Sequence, residues 1–155
     1  MQNDNRMALV KTMMEEYATS GSAELILAQL AEDVTWKTTA PAGTRLRELF
    51  IGSKRVEEYF RRSDELLEVR DVKINDYFQN GDKVVVIGTE QLRSRQNGAT
   101  NTSDWAAVFT FRKEHIAEVL VIEDLSILSA GQSSDSGQLG CGFDLTQQPV
   151  EIGTR

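Results

Sequence analysis

Apolar residues recur at spacings of three and four near the start of the chain. Met7, Val10, Met14 and Tyr17 form one stripe, with Lys11, Glu15 and Glu16 mostly off it, which predicts a helix over residues 4–18. The run Thr19-Ser20-Gly21-Ser22 ends that pattern. Ser22 is placed to cap a second, short helix over 23–31, with Ile26, Leu27 and Leu30 inward. A brief β-prone run follows at 34–38, then a polar loop at 40–49 holding Pro41, Gly43, Arg45, Arg47 and Glu48. A third helix is predicted over 54–67, capped by Ser53. Val56, Tyr59, Phe60 and Ser63 share its inner face, and Lys54, Arg55, Glu57, Glu58, Arg61 and Arg62 form its solvated face.

From Glu68 onward the period changes from helical to strand-like. Residues 69–79 and 83–95 read as strands joined by the turn Asn80-Gly81-Asp82, because Asn and Gly tolerate positive φ. After a turn at 96–99 comes a second hairpin, 103–128. Its first strand alternates: Trp105, Ala107, Phe109 and Phe111 face one way, and Asp104, Ala106, Val108 and Thr110 the other. Its second strand is almost unbroken in apolar residues, with Glu118, Glu123 and Asp124 set into it. A run of helices followed by a run of strands predicts an α+β fold, the helices on one face of an antiparallel sheet. Residues 129–142 are mostly Ser, Gly and Gln, and two small apolar islands, Phe143–Leu145 and Val150–Ile152, lie beyond them. One domain is therefore expected over 1–128, followed by a flexible C-terminal tail over 129–155.

Composition narrows the function. A chain of 155 residues suffices for one core without staples. The net charge of −7 argues against nucleic acid and against anionic membranes as partners. Cys141 is the single cysteine, so no internal disulfide forms, which fits a cytoplasmic location. One Cys and one His cannot build a zinc cluster, and no metal or other cofactor is expected. The start MQNDNRM lacks a secretory pattern, and no apolar run reaches the span of a bilayer.

The segments LAQLAEDVTW, Phe50-Ile51-Gly52, NGDKVVV and DWAAVFTFRKEHIAEVLVIEDL, in this order, resemble the NTF2-like superfamily over about residues 5–128. The nearest likeness is to SnoaL-like polyketide cyclases and ketosteroid-isomerase-like proteins. The resemblance implies a cone: a curved antiparallel sheet packed on three N-terminal helices around a deep apolar pocket. It also implies a homodimer through the outer sheet face and a small hydrophobic ligand. The catalytic positions of such enzymes fall here on Met14 (with Tyr17 one turn away), on Thr38 or Ala40, on Ala107 and on Val121. The Arg-x-Asp pair of related epoxide hydrolases has no counterpart, since Arg93 is followed two residues later by Arg95.

Glu123 is the carboxylate of most interest. It shares a face with Val119 and Val121, and the resemblance assigns that face to the pocket; alternatively it reaches solvent at the strand end. Glu90 and Arg93 face opposite ways, so at most one points inward. Trp36 and Trp105 serve either as core or as ligand-stacking walls. Tyr17, Thr38 and Phe60 complete the expected pocket. Strict alternation sends Asp104 outward and gives Asp124 the parity opposite to Glu123. His115 lies in a solvated turn, and Cys141 lies in the tail, away from any activating base. Two functions follow. The first is a SnoaL-like isomerase, cyclase or hydrolase using Glu123 in general acid–base catalysis on a small hydrophobic, oxygenated ligand. The second is a non-catalytic binding or dimerisation module with the same pocket.

Overall fold

The computed structural model describes residues 2–129. Helix α1 (Gln2–Ser20) buries Val10, Met13 and Met14 and packs on the strand β3 (Leu67–Asn80). The second helix, α2 (Glu24–Ala28), is shorter than its pattern predicts. The Ser22 hydroxyl accepts the Glu24 N–H at 3.2 Å. Leu30 and Ala31, expected in that helix, belong instead to β1 (Leu30–Thr38), because Leu30 pairs with Ile116 across the sheet.

Two further corrections concern α3 (Ser53–Leu66). Ser53 is its first residue rather than its cap. The cap is Gly52, whose φ of 95° is open to glycine and whose N–H donates to the Val34 carbonyl at 2.8 Å. Phe50–Ile51, outside every element the sequence pattern predicts, forms the short strand β2, with Phe50 opposite Trp36. The charged outer face of α3 is laced by ion pairs, Arg61–Glu58 at 2.6 Å and Arg62–Glu58 at 3.0 Å among them.

The meander then runs through β3, β4 (Lys83–Ser94), β5 (Thr100–Arg112) and β6 (His115–Glu123). Gly81, with φ 63°, makes the β3–β4 turn. The last strand stops at Glu123, earlier than expected. Asp124 accepts the Ser126 N–H at 3.0 Å and starts a 3-10 turn over Ser126–Leu128, which seats Leu125, Ile127 and Leu128 in the core. The six strands lie in the order β2-β1-β6-β5-β4-β3. All neighbours are antiparallel except β1 and β6, which run parallel, so the sheet is mixed rather than purely antiparallel. Between Arg70 and Lys73 the β3 register slips, with Asp71 at φ 48°. Irregularities of this kind bend a strand, and the sheet curls around the helices. The expected alternation holds in β5: Trp105, Ala107, Phe109 and Phe111 are all buried.

Candidate functional site

The concave face and the helices enclose a cavity of about 70 Å³. Tyr17 and Met14 line it from α1, Ile26 from α2, Tyr59 and Phe60 from α3, and Val72 from β3. Trp36 enters from β1, Glu90 from β4, Trp105, Ala107 and Phe109 from β5, and Val121 and Glu123 from β6. Strand parity explains this assembly. Val84, Val86, Gly88, Glu90 and Leu92 alternate onto the buried face of β4, which brings Glu90 inward and leaves Arg93 exposed. On β6 the face of Val119 and Val121 ends in Glu123, which is half-buried.

Glu90 pairs with Ser103 in the ladder and Glu123 pairs with Trp105, so the two carboxyls approach one another across β5. Ser103 is small, and its hydroxyl is tied to the backbone, donating to the Asp104 carbonyl at 2.8 Å and accepting the Asp124 N–H at 3.1 Å. Both carboxyls lie on the same wall of the cavity. Glu90 is only 7% exposed, and its Oε2 has no partner within the protein. Its carboxyl is pushed up to about 10, first by burial, then by the hydrogen bond to Glu123 and by the negative charge there. At neutral pH Glu90 therefore keeps its proton. The Glu123 backbone is fixed by Thr39, whose hydroxyl accepts its N–H at 3.0 Å and donates to its carbonyl at 3.1 Å.

The aromatic side chains pack in tilted and edge-to-face pairs. Ring centroids lie 5.3 Å apart for Trp36–Tyr59, 5.2 Å for Trp36–Phe60 and 5.9 Å for Tyr17–Phe60. Burial, reinforced by the Glu123 charge, raises the phenols of Tyr17 and Tyr59 well above the usual range, so both stay protonated. The indole Nε1 groups of Trp36 and Trp105 are buried without an acceptor. Two donors and one carboxyl oxygen on cavity-lining residues are thus unmatched by the protein, where buried polar groups ordinarily find partners.

Six of the seven residues expected at the site line this cavity: Tyr17, Trp36, Phe60, Glu90, Trp105 and Glu123. Thr38 does not. Its hydroxyl donates to the Leu46 carbonyl at 2.9 Å and accepts the Ala40 N–H at 3.2 Å, so it anchors the 40–49 loop instead. Tyr59, on the same helical face as Phe60, is a wall residue beyond those expected. The two glutamates stand on different strands, and only the register shows that they meet. Asp104 and His115 are exposed, as strand parity and turn position predict, and Asp124 is spent on its turn. Cys141, Phe143–Leu145, Val150–Ile152 and the tail lie outside the described residues. Among the described residues no group of three or more potential metal ligands occurs, and no helix is long and apolar enough to cross a membrane.

Comparison with known proteins agrees with this architecture. The family model of the SnoaL-like domain matches residues 10–119. No curated protein sequence gives a significant match. Among solved structures, an NTF2-like protein of unknown function from Burkholderia pseudomallei superimposes with a TM-score of 0.69 at 22% identity, covering 83% of this chain and 95% of that one. A putative SnoaL-like polyketide cyclase from Mesorhizobium loti gives 0.64 at 18% identity, covering 74% and 95%. A protein with a ketosteroid isomerase-like fold from Catenulispora acidiphila, in complex with trimethylamine, gives 0.63 at 20% identity, covering 79% and 89%. At these identities the likeness is one of fold.

Proposed function

The chain belongs to the SnoaL-like domain family, and from that premise we propose that it is a pocket enzyme of the isomerase, cyclase or hydrolase kind, working by general acid–base catalysis on a small, largely apolar, oxygenated ligand. The observation that carries this reading is the carboxyl pair Glu90–Glu123 on the wall of an aromatic cavity, with the buried Glu90 carboxyl pushed up to about 10. Such a pair supplies an acid and a base at the same pH. Glu123 takes a proton from a carbon next to the ligand's carbonyl, and the C–H electron pair becomes the C=C bond of an enol. The Glu90 carboxyl gives its proton to the carbonyl oxygen, helped by an indole N–H as donor. Return of a proton to a different carbon, or attack of the enol carbon on a second carbonyl, completes an isomerisation or a ring closure. The scheme calls on protein groups alone.

The test is deuterium uptake at enolisable carbons. A panel of small ketones is incubated with the protein in D₂O and followed by NMR. The wild type is expected to accelerate exchange, and Glu123→Gln to lower that rate by about 10²–10⁴-fold, the range for loss of a general base. Exchange no faster than in buffer across the panel would sink the catalytic reading.

A second reading, ligand binding without turnover, draws support from the positions where enzymes of this fold carry acid–base groups. Met14, Ala107 and Val121 occupy three of them. In that case a ligand is retained by the cavity and returned chemically unchanged, which native mass spectrometry distinguishes.

A homodimer through the outer sheet face belongs to the same proposal. Across that face Phe78, Val85, Val108 and Leu120 stand in one row, and Ile87, Ala106 and Ile122 in the next. Phe78 and Ile122 are 54% and 43% exposed, high for large apolar side chains in one patch. Sedimentation velocity at micromolar concentration is expected to give a dimer, and a monomer there counts against it. A cytoplasmic location fits the single cysteine.

A further inference from the structure

The cavity gathers two carboxyl groups and no basic side chain among the described residues. Glu90 and Glu123 both line it, and the strand register brings their carboxyl groups toward one another across β5. Among the described residues no Arg, Lys or His lines the cavity. The nearby arginines of α3 are engaged outside: Arg55 with Glu48, Arg61 with Glu58 and Glu65, and Arg62 with Glu58 and Glu48. Arg93 points away from the cavity and sits 3.7 Å from Glu68. A charge removed from water without a partner is costly, and a ligand of opposite sign relieves that cost.

The rest of the lining says which kind of cation fits. Tyr17, Trp36, Tyr59, Phe60, Trp105 and Phe109 surround the pair with aromatic rings. Ring faces carry negative potential and attract cations, most effectively where water is excluded. A bare metal ion prefers several oxygen ligands at short range, and the cavity offers two carboxyl groups. An alkylated nitrogen instead spreads its charge over methyl or methylene groups that pack on rings. The volume of about 70 Å³ also favours a compact head over an extended one.

We infer that the ligand of this cavity carries a compact organic cation, a protonated alkylamine or a quaternary ammonium head, seated among Trp36, Tyr59, Phe60 and Trp105 against the Glu90–Glu123 pair. This rests on the reading of the cavity as the ligand site and narrows its substrate class. The unmatched indole N–H groups accommodate the oxygen function of the same molecule, so the substrate is a small amino ketone or amino alcohol in type.

The experiment uses the full chain and its own fluorescence, since both tryptophans of the sequence line the cavity. Tetramethylammonium chloride is titrated at pH 7, with sodium chloride at equal ionic strength as the salt control. The neutral probe of similar shape is tert-butanol. The expected result is a saturable change with tetramethylammonium, none with sodium chloride, and at least tenfold weaker binding of tert-butanol. Glu123→Gln is expected to weaken the cation at least tenfold, and Glu90→Gln to weaken it by a smaller factor. Thermal melts of both variants establish that they are folded. Equal binding of the cation and the alcohol, or no saturable response to the cation, overturns the inference. If ketone exchange in D₂O persists while the cation fails, the inference falls alone; if neither responds, the cavity itself is not the site.

Discussion

At pH 7 the Glu90 carboxyl keeps its proton because it is buried, and the Glu123 carboxyl beside it pushes it up further. The consequence is a stability that depends on pH with a definite sign. In the unfolded chain Glu90 titrates near the ordinary 4.5, and in the fold near 10. Between these values the folded state binds the extra proton, so its contribution to stability is complete below about pH 4.5 and is lost as pH rises toward 10. Asp33, Glu58, Glu68 and Asp124 are shifted the other way, by hydrogen bonds to Arg112, to Arg61 and Arg62, to Arg70, and to Ser126 respectively. Their effect is confined to the acid side of their ordinary range. Melting curves from pH 5 to 9 are therefore expected to show a falling midpoint in the wild type and a flatter one in Glu90→Gln; parallel curves would remove this account of Glu90. In the sequence, the facing of Glu90 was legible as alternation along VVVIG and its continuation. Its meeting with Glu123 was not, because that depends on β5 lying between β4 and β6 in one particular register. Thr38 misled for a related reason. A threonine at a strand end reads equally as a wall or as a loop anchor, and the Leu46 carbonyl decides between them.

The elements were legible wherever one period ran long. The stripes of α1 and α3, the β3–β4 turn and the alternation of β5 all appear in the chain as written. Boundaries failed where a tertiary partner outweighed local propensity: Leu30 and Ala31 left their helix to pair with β6, and Asp124 ended a strand that its apolar sequence would have continued. The strand β4 contains one position where packing admits a single residue type. A Cβ on Gly88 would overlap the Lys73 carbonyl oxygen and lie 2.5 Å from Trp105 Cζ2. The absence of a side chain thus lets the Trp105 indole lie against β4 and form the cavity wall. Gly88→Ala is expected to cost about 1–3 kcal/mol through overpacking. It is also expected to shift the tryptophan emission as the indole is displaced. Urea unfolding with unchanged midpoint and spectrum would show that the strand yields without moving Trp105.

For the molecule as a whole, the sheet separates two surfaces of different use. The concave side holds the cavity and the buried carboxyl pair, and the convex side carries the apolar rows proposed as a dimer face. The joint between β1 and β6 has a consequence in time rather than in space. Strands β3 to β6 are linked by turns of a few residues, whereas Thr35 and Glu118, side by side in the parallel pair, are more than eighty residues apart in sequence. Closing so long a loop is entropically costly, and contacts of this separation slow folding. The meander is expected to assemble first and β1 to dock afterwards. Truncating Val86 should then slow refolding, while truncating Val34 should mainly speed unfolding; the opposite pattern in stopped-flow chevrons would reverse that order. Trp36 travels with β1, so the aromatic enclosure is the last part of the molecule to exist, and half-folded chains have a sheet but nowhere to hold a ligand.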